Sequence, residues 1–175
     1  MENGLMHLYY GEGKGKTTAA VGLAVRAAGA GKRVLFAQFM KGGKTGELAI
    51  LRSISNITVL RSEKAFPFYR KMTEEDKAEQ TLVHNRMLKN IFSRLQKEEC
   101  DVIVLDEITY PYKWKLIDCG KVRELLATVQ GRAEIICTGR NPDAFFLGQA
   151  DYITEMKCIR HPYEKGIEAR EGIEY

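Results

Sequence analysis

The sequence is poor in several features, and each scarcity excludes a class of protein. It has four cysteines, Cys100, Cys119, Cys137 and Cys158, and no two are spaced as a CxxC pair. Structural zinc is held by such pairs, so we expect no zinc site and instead free thiols in a reducing compartment. No apolar run approaches the ~20 residues of a membrane-spanning helix, and the first ten residues do not resemble a signal peptide. These absences predict a soluble, cytoplasmic protein without membrane contact.

The chain also lacks a strong excess of charge of either sign. Its 175 residues include 27 lysines and arginines against 23 acidic residues, a net charge of +4. The basic residues are scattered along the chain, whereas nucleic-acid binding needs them clustered on one face. We therefore expect no nucleic-acid partner. The small positive excess suits an anionic small molecule such as a nucleotide.

Short apolar runs alternate with helical patterns along the whole chain. Six runs rich in β-branched or aromatic residues predict buried strands: Leu5–Tyr9, Val34–Phe39, Ile57–Leu60, Val102–Leu105, Ile135–Cys137 and Tyr152–Thr154. Helices are predicted over Thr17–Ala30, Gly46–Ser53, Thr73–Lys97 and Val122–Thr128, with a short turn near Asp143–Gln149. The alternation predicts one α/β domain over residues 1–175, with a mainly parallel sheet covered by helices on both faces. Ligands of such sheets bind beyond the carboxyl ends of the strands.

A loop rich in glycine and lysine follows the first predicted strand and opens the first helix. It consists of Gly11, Glu12, Gly13, Lys14, Gly15, Lys16, Thr17 and Thr18. Glycines let backbone N–H groups turn toward phosphate oxygens, and the start of a helix adds a positive dipole. Lys16 matches the lysine of the pattern G-x-x-x-x-G-K-[ST] and Thr17 its Mg²⁺-binding hydroxyl, although Tyr10 stands at the first glycine position. We predict that all eight residues bind a nucleoside triphosphate.

A second acidic motif stands at the end of the fourth predicted strand. The apolar run Val102–Leu105 is followed directly by Asp106 and Glu107. Carboxylates at this place hold Mg²⁺ in phosphate-loop proteins, with phosphate and water oxygens completing the coordination. The two motifs together predict a P-loop NTPase-like, RecA-like fold and a magnesium site on Thr17 and Glu107. They do not choose the reaction.

Several further segments, taken in order, resemble the P-loop ATP:corrinoid adenosyltransferases. After the phosphate loop these segments are Gly22–Gly29, Gly31–Val34, Gln38–Gly42, Gly46–Glu47, Asp106–Tyr110, Thr138–Arg140, Ala150–Asp151, Thr154–Met156, His161–Tyr163, Gly166–Ile167 and Gly172–Tyr175. The resemblance implies transfer of the 5′-deoxyadenosyl group of ATP to the cobalt(I) of a corrinoid, with release of triphosphate. Cobalt(I) is itself the nucleophile, which suits a chain with three histidines and no apparent catalytic triad. The resemblance also implies a homodimer and an electron-donating reductase as partner.

The resemblance assigns roles to particular residues. Lys16, assisted by Lys14, would neutralise the leaving triphosphate, and Arg26 corresponds to a position near the nucleotide. The family is understood to make cobalt easier to reduce by stripping its lower axial ligand with bulky apolar side chains. The matching stretch is Lys64–Tyr69, in which Phe66 and Phe68 are the candidates for this displacement.

Two other functions and one structural alternative stay open at this point. A small-molecule kinase of the thymidine-kinase type also combines a phosphate loop with an Asp-Glu strand end, but it usually carries paired cysteines. A RecA-like ATP-dependent binding module would be expected to show a basic stripe. The aromatic stretch from Tyr110 to Lys115 is either a lid over the substrate or a packed loop.

Overall fold

The computed structural model describes residues 4–174. They form six strands: β1 (Met6–Tyr10), β2 (Val34–Gln38), β3 (Ile57–Arg61), β4 (Val102–Asp106), β5 (Glu134–Gly139) and β6 (Tyr152–Glu155). All six lie at the positions that the apolar runs predict. For β2, β4 and β5 the predicted burial is confirmed, because these strands are covered on both faces and each appears as a continuous apolar run. For β6 the predicted burial is wrong, because β6 lies at the edge of the sheet and all four of its residues are exposed.

The strands pair in the order β3-β2-β4-β5-β1-β6, and every pairing is parallel. The register places Gln38 beside Asp106 and Tyr10 beside Gly139, each at the last residue of its strand. The carboxyl ends of four strands therefore meet at one edge. This is the edge at which an α/β sheet binds its ligands.

The helices are α1 (Lys16–Gly29), α2 (Glu47–Ser53), α3 (Glu74–Gln96), α4 (Thr109–Lys113), α5 (Cys119–Val129) and α6 (Ala144–Gln149). Short 3-10 turns cover Tyr69–Lys71 and Pro162–Lys165. The longest helix begins at a capping box, in which the Thr73 hydroxyl and the Asp76 carboxylate each accept the other's backbone N–H. Helix α5 begins three residues earlier than predicted, at an Asp118 cap whose carboxylate accepts the Lys121 N–H.

Two separate apolar cores lie on the two faces of the sheet. On one face Ala20 and Ala24 of α1 pack with Phe36, Val104 and Ile136 of the strands. On the other face, side chains of α3, α5 and α6 pack on the alternate strand residues, including Leu35, Ile103 and Leu105. The predicted single α/β domain with helices on both faces is confirmed.

Helix α4 was not predicted, because Pro111 interrupts its sequence. Proline is tolerated in the first turn of a helix, where its missing N–H has no intrahelical partner, and Pro111 is the third residue of α4. Tyr112 in the same helix is buried, 1% exposed. Within residues 4–174 no helix has the length and apolarity that crossing a membrane requires.

Candidate active site

The phosphate loop connects the end of β1 to the start of α1. Gly11 and Gly15 have φ angles of 116° and 114°, a region that side-chain-bearing residues rarely adopt. Gly15 directly precedes α1, so the first backbone N–H groups of the helix point toward the loop. Glycine at these two positions is thus required by the backbone itself.

The segment after β6 sets a second constraint on the loop. The Gly13 N–H donates to the carbonyl oxygen of Met156 at 2.7 Å. A Cβ atom on Gly11 or Gly13 would lie 2.5 or 2.6 Å from that same oxygen. These glycines therefore also make room for the chain near its carboxyl end, a role that the local pattern did not indicate.

Lys16 lies inside the curve of the loop. Its ammonium donates to the carbonyl oxygen of Gly13 at 2.7 Å. Burial, reinforced by the positive charge of Arg140, lowers the pKa of Lys16. Arg140 in turn forms an ion pair with Glu12, with 3.0 Å between Nη1 and Oε2. Lys16 contacts a carbonyl oxygen and not a carboxylate, so a triphosphate placed here would be its anionic partner.

The Asp106 carboxylate is the hub of the site and has no exposed surface. Its Oδ1 accepts hydrogen bonds from the hydroxyls of Thr17 (3.0 Å) and Thr138 (2.7 Å). Its Oδ2 accepts from Lys41 (2.9 Å) and from the amide of Gln38 (3.4 Å). Four donors match the roughly four lone-pair sites of a carboxylate. The sequence predicts Thr17 and Glu107 as ligands of Mg²⁺, and that assignment stays a prediction; the carboxylate that the Thr17 hydroxyl contacts is Asp106.

Lys41 is the main charged residue of this site that the sequence prediction missed. Besides Asp106, its ammonium contacts the Thr17 hydroxyl at 3.2 Å and lies 4.0 Å from Oε1 of Glu107. Burial opposes a charge on Lys41, but the carboxylates of Asp106 and Glu107 together raise its pKa. The available signal was its place three residues after the end of β2, at the same sheet edge as the phosphate loop.

Glu107 points from the strand end toward an adjacent cavity. Its backbone has a φ of 60°, an uncommon conformation for a residue with a side chain, and its N–H donates to the Thr138 hydroxyl at 2.9 Å. Burial, together with the negative charge of Asp106 and against the opposing charge of Lys41, raises the pKa of Glu107 to about 7. Glu107 thus belongs both to the Asp106 network and to the cavity wall.

The cavity has a volume of 520 Å³ and a largely aromatic lining. Phe66, Pro67, Phe68 and Tyr69 form one side, Tyr110 and Trp114 of the α4 region form another, and Met40, Glu107 and Arg140 complete the wall. The Trp114 ring stacks on Tyr69 with 4.3 Å between centroids. Phe68 is 85% exposed, an unusual environment for a phenylalanine in a folded domain.

The stretch from Tyr110 to Lys115 combines the two alternatives left open by the sequence. Tyr112 is packed in the core, where its hydroxyl accepts a hydrogen bond from Arg123. Tyr110 and Trp114 face the cavity instead. The segment is therefore a packed helix whose exposed side contributes to the wall of the cavity.

His84 of α3 connects the two parts of the site. Its Nε2 accepts the Met40 N–H at 3.4 Å, and its Nδ1 donates to the carbonyl oxygen of Leu116 at 2.8 Å. The ring is 2% exposed, and burial lowers its pKa to about 4. A neutral His84 thus joins the loop that carries Lys41 to the segment that follows α4.

The remaining predicted residues lie at the edges of this arrangement. Lys14 and Thr18 are exposed, and Lys14 lines a second cavity of 320 Å³ together with basic residues of the carboxyl-terminal segment. Arg26 lies in the last turn of α1, about 15 Å along the helix from Lys16 at 1.5 Å per residue. The structure does not bring Arg26 to the phosphate loop, and its contact with the nucleotide stays a prediction.

The described residues contain no group of three or more histidine, cysteine or acidic side chains that could hold a metal ion. The oxygen atoms at hand are the Thr17 hydroxyl and the carboxylates of Asp106 and Glu107. Mg²⁺ prefers such hard oxygens and usually takes few of them from the protein, with phosphate and water supplying the others. The donor set fits Mg²⁺ bound together with a nucleotide.

Comparisons with known proteins, by a family model and by sequence identity, match the chain to corrinoid adenosyltransferases. The family model described as ATP:corrinoid adenosyltransferase BtuR/CobO/CobP matches residues 2–175. The chain is 32% identical over 175 residues to the corrinoid adenosyltransferase CobA of Salmonella typhimurium, covering 99% of this chain and 87% of that protein. It is 30% identical, with the same coverage, to the corrinoid adenosyltransferase of Escherichia coli K12.

A solved structure shares the fold. The crystal structure of the flagellar accessory protein FlaH from Methanocaldococcus jannaschii superposes with a TM-score of 0.58. The match covers 89% of this chain and 72% of FlaH, at 16% sequence identity. At that identity the likeness concerns the fold alone, and it agrees with the predicted P-loop architecture.

Proposed function

Because this chain belongs to the ATP:corrinoid adenosyltransferase family, we propose that its phosphate loop and the adjacent aromatic cavity form one active site for adenosyl transfer. The observation that carries this proposal is the position of Glu107. Its carboxylate lies 4.0 Å from Lys41 in the phosphate-side network and also lines the 520 Å³ cavity. Triphosphate on one side and corrinoid on the other would then meet at the end of β4.

The family's reaction transfers the 5′-deoxyadenosyl group of ATP to the cobalt(I) of a corrinoid. The electron pair of cobalt attacks the 5′ carbon, a cobalt–carbon bond forms, and the carbon–oxygen bond to triphosphate breaks with its electron pair on the leaving group. No side chain has to act as nucleophile or general base. The protein's task is to hold the two substrates in line and to neutralise the leaving triphosphate.

The phosphate side has the groups for that task. The amides at the start of α1 and the ammonium of Lys16 would bind the triphosphate, with exposed Lys14 at the rim of the loop. We propose that Mg²⁺ enters with ATP and is held by Thr17 and Glu107, the predicted pair, with Asp106 as a further carboxylate. The metal would supply positive charge to the departing phosphate oxygens.

The aromatic cavity is the proposed corrinoid side. Phe68 is 85% exposed and Phe66 is partly exposed, and both line the cavity. In this position their rings could occupy the space below the corrinoid and displace its lower axial ligand, which makes the cobalt easier to reduce. The stacked pair Tyr69 and Trp114 would form a flat apolar wall for the macrocycle.

Two partners and a location complete the proposal. Cobalt(II) has to gain one electron before transfer, and we propose that a reductase delivers it in the cytoplasm, where ATP is present and thiols stay reduced. All four cysteines are free, as a reducing compartment would have them. We further propose a homodimer, because β6 is an edge strand whose Tyr152 and Ile153 are 51% and 49% exposed. Light scattering on the purified protein tests the dimer.

The reaction is tested under anaerobic conditions with ATP, Mg²⁺ and chemically reduced cob(I)alamin, or cobinamide as second acceptor. We expect the visible spectrum of a light-sensitive cobalt–carbon bond and one intact triphosphate per adenosylated corrinoid. ADP together with a phosphorylated hydroxyl compound, and no adenosylated corrinoid from either acceptor, would contradict the proposal and favour a kinase. Glu107, with its pKa near 7, would then be the candidate base.

A further inference from the structure

The ammonium of Lys41 stands at the point where three oxygen-bearing side chains converge. It lies 2.9 Å from Oδ2 of Asp106, 3.2 Å from the Thr17 hydroxyl and 4.0 Å from Oε1 of Glu107. These are the same oxygens that fit Mg²⁺. A single positive charge of the protein therefore occupies the place that a divalent cation would need.

A cation in direct contact with Asp106 has to displace one of its four hydrogen-bond donors, because the carboxylate has no free lone pair left. Thr138 and Gln38 are fully buried strand residues. Lys41, by contrast, lies on the loop after β2, and its side chain is 21% exposed. The donor that can leave with the least rearrangement is Lys41.

Lys41 is also the counter-ion that makes the burial of Asp106 tolerable. It forms the only ion pair of Asp106 among the described residues, since Lys16 is directed to the Gly13 carbonyl instead. A buried carboxylate that loses its partner is strongly destabilising. Either Lys41 or a metal ion therefore has to accompany Asp106.

We propose that Lys41 is a tethered counter-cation: it occupies the metal position between Thr17, Asp106 and Glu107 in the free protein, and the metal–nucleotide complex displaces it. The proposal rests on the proposed use of Mg²⁺ at this site. The incoming triphosphate offers the displaced ammonium a new anionic partner, whereas a metal ion alone offers none. Metal and ATP therefore enter together, and metal without nucleotide binds only weakly.

The probe is Mn²⁺ without nucleotide, and its binding is measured as the loss of the electron paramagnetic resonance signal of the free ion. Wild-type protein should bind Mn²⁺ weakly, and Lys41→Met should bind it at least about tenfold more tightly, within the usual range of coupling between sites. The matched control is Lys44→Met, an exposed lysine of the same loop, which should behave as wild type. Equal Mn²⁺ affinity of Lys41→Met and wild type overturns the proposal.

Thermal unfolding provides a second readout that does not depend on activity. Without metal, Lys41→Met should melt well below wild type, and Mn²⁺ should raise the melting temperature of this variant but not that of Lys44→Met. If Lys41→Met does not fold, the double variant Lys41→Met/Asp106→Asn decides, because it removes both charges. A double variant that folds without metal supports the proposal, and one that is equally unfolded overturns it.

These measurements are separable from the test of the proposed function. Suppose that the wild-type protein adenosylates cob(I)alamin with Mg²⁺ and ATP, but Lys41→Met binds Mn²⁺ no more tightly than wild type. The proposed function then holds, and the proposed role of Lys41 is wrong. If Lys41→Met binds Mn²⁺ more tightly than wild type but the wild-type protein has no transferase activity, the role of Lys41 is supported and the proposed function is wrong.

Discussion

The proposed phosphate side and the proposed corrinoid side of the site are built in opposite ways. On the phosphate side, Asp106 has no exposed surface and is held by four donors from two strands, the start of α1 and the loop after β2. On the corrinoid side, Phe68 is 85% exposed and belongs to a segment with no strand or α-helix. A small, highly charged leaving group benefits from charges fixed in advance. A large flat substrate instead supplies much of the apolar contact itself when it binds.

The comparison implies that stability and catalysis divide between the two sides. Substitutions in the Asp106 network should affect both the fold and the reaction. Substitutions of the exposed aromatic residues should affect the reaction alone, because few native contacts depend on them. The predictions below test this division.

The largest effect is expected for Asp106→Ala. The variant leaves the Lys41 ammonium and the hydroxyls of Thr17 and Thr138 without their acceptor, so it should lose about 3–5 kcal/mol of unfolding free energy. Asp118→Ala is the matched control, since this exposed aspartate only caps α5 and should cost about 1 kcal/mol. Denaturant titration measures both, and equal losses would show that the Asp106 network is not structural.

A pH-dependent effect of similar size is expected from His84, which joins the two sides. Its folded pKa of about 4 lies below the ordinary 6.5, so the unfolded chain takes up the proton first. Stability should be fully present above pH 6.5 and should fall by about 3 kcal/mol as the pH drops to 4.

Denaturation at several pH values, without nucleotide, measures this effect. His84→Gln should be less stable at neutral pH but should show a flatter profile between pH 6.5 and 4. His161→Gln, in the carboxyl-terminal segment, should keep the wild-type profile. A profile of His84→Gln that stays parallel to wild type would contradict the assignment.

Lys16→Ala should reduce adenosyl transfer without unfolding the protein. Its ammonium makes one hydrogen bond, to the Gly13 carbonyl, but would bind the leaving triphosphate during the reaction. Loss of one preorganised donor costs roughly 100-fold or more in rate. Triphosphate release is the readout. Lys14→Ala, at the exposed rim, should lose much less, and equal losses would remove the special role of Lys16.

The smallest effect on stability is expected for Phe68→Ala. Because the side chain is 85% exposed, the change in unfolding free energy should stay within about 0.5 kcal/mol. The matched comparison is Phe36→Ala, at a fully buried position of β2, which should cost about 3–5 kcal/mol. A large loss for Phe68→Ala would mean that the corrinoid side is as structural as the phosphate side.

The sequence was sufficient for the features that depend on neighbouring residues. The strands appear as apolar runs, and the phosphate loop has its composition because its backbone angles require glycine at Gly11 and Gly15. The Asp-Glu pair at the end of β4 lies next to the phosphate loop, where Asp106 contacts Thr17. Each of these signals is local in the chain.

What could not be predicted depends on contacts between distant segments. The contact of Thr17 with Asp106 depends on the pairing of β1 with β5 and of β5 with β4, and the place of Lys41 depends on the loop whose Met40 N–H donates to His84. The contact of Gly13 with Met156 joins residues far apart in sequence. Contacts between segments that are distant in the chain cannot be predicted from a local sequence pattern.

The most direct test of the two-sided site compares two starting states of the corrinoid in one assay. From chemically prepared cob(I)alamin, Phe68→Ala should transfer adenosyl at nearly the wild-type rate. From cob(II)alamin with an added electron donor it should be at least about tenfold slower, the equivalent of roughly 1.4 kcal/mol. Lys16→Ala should be slow from both. If Phe68→Ala is equally slow from both states, the aromatic side does not act in cobalt reduction and the division of labour is wrong.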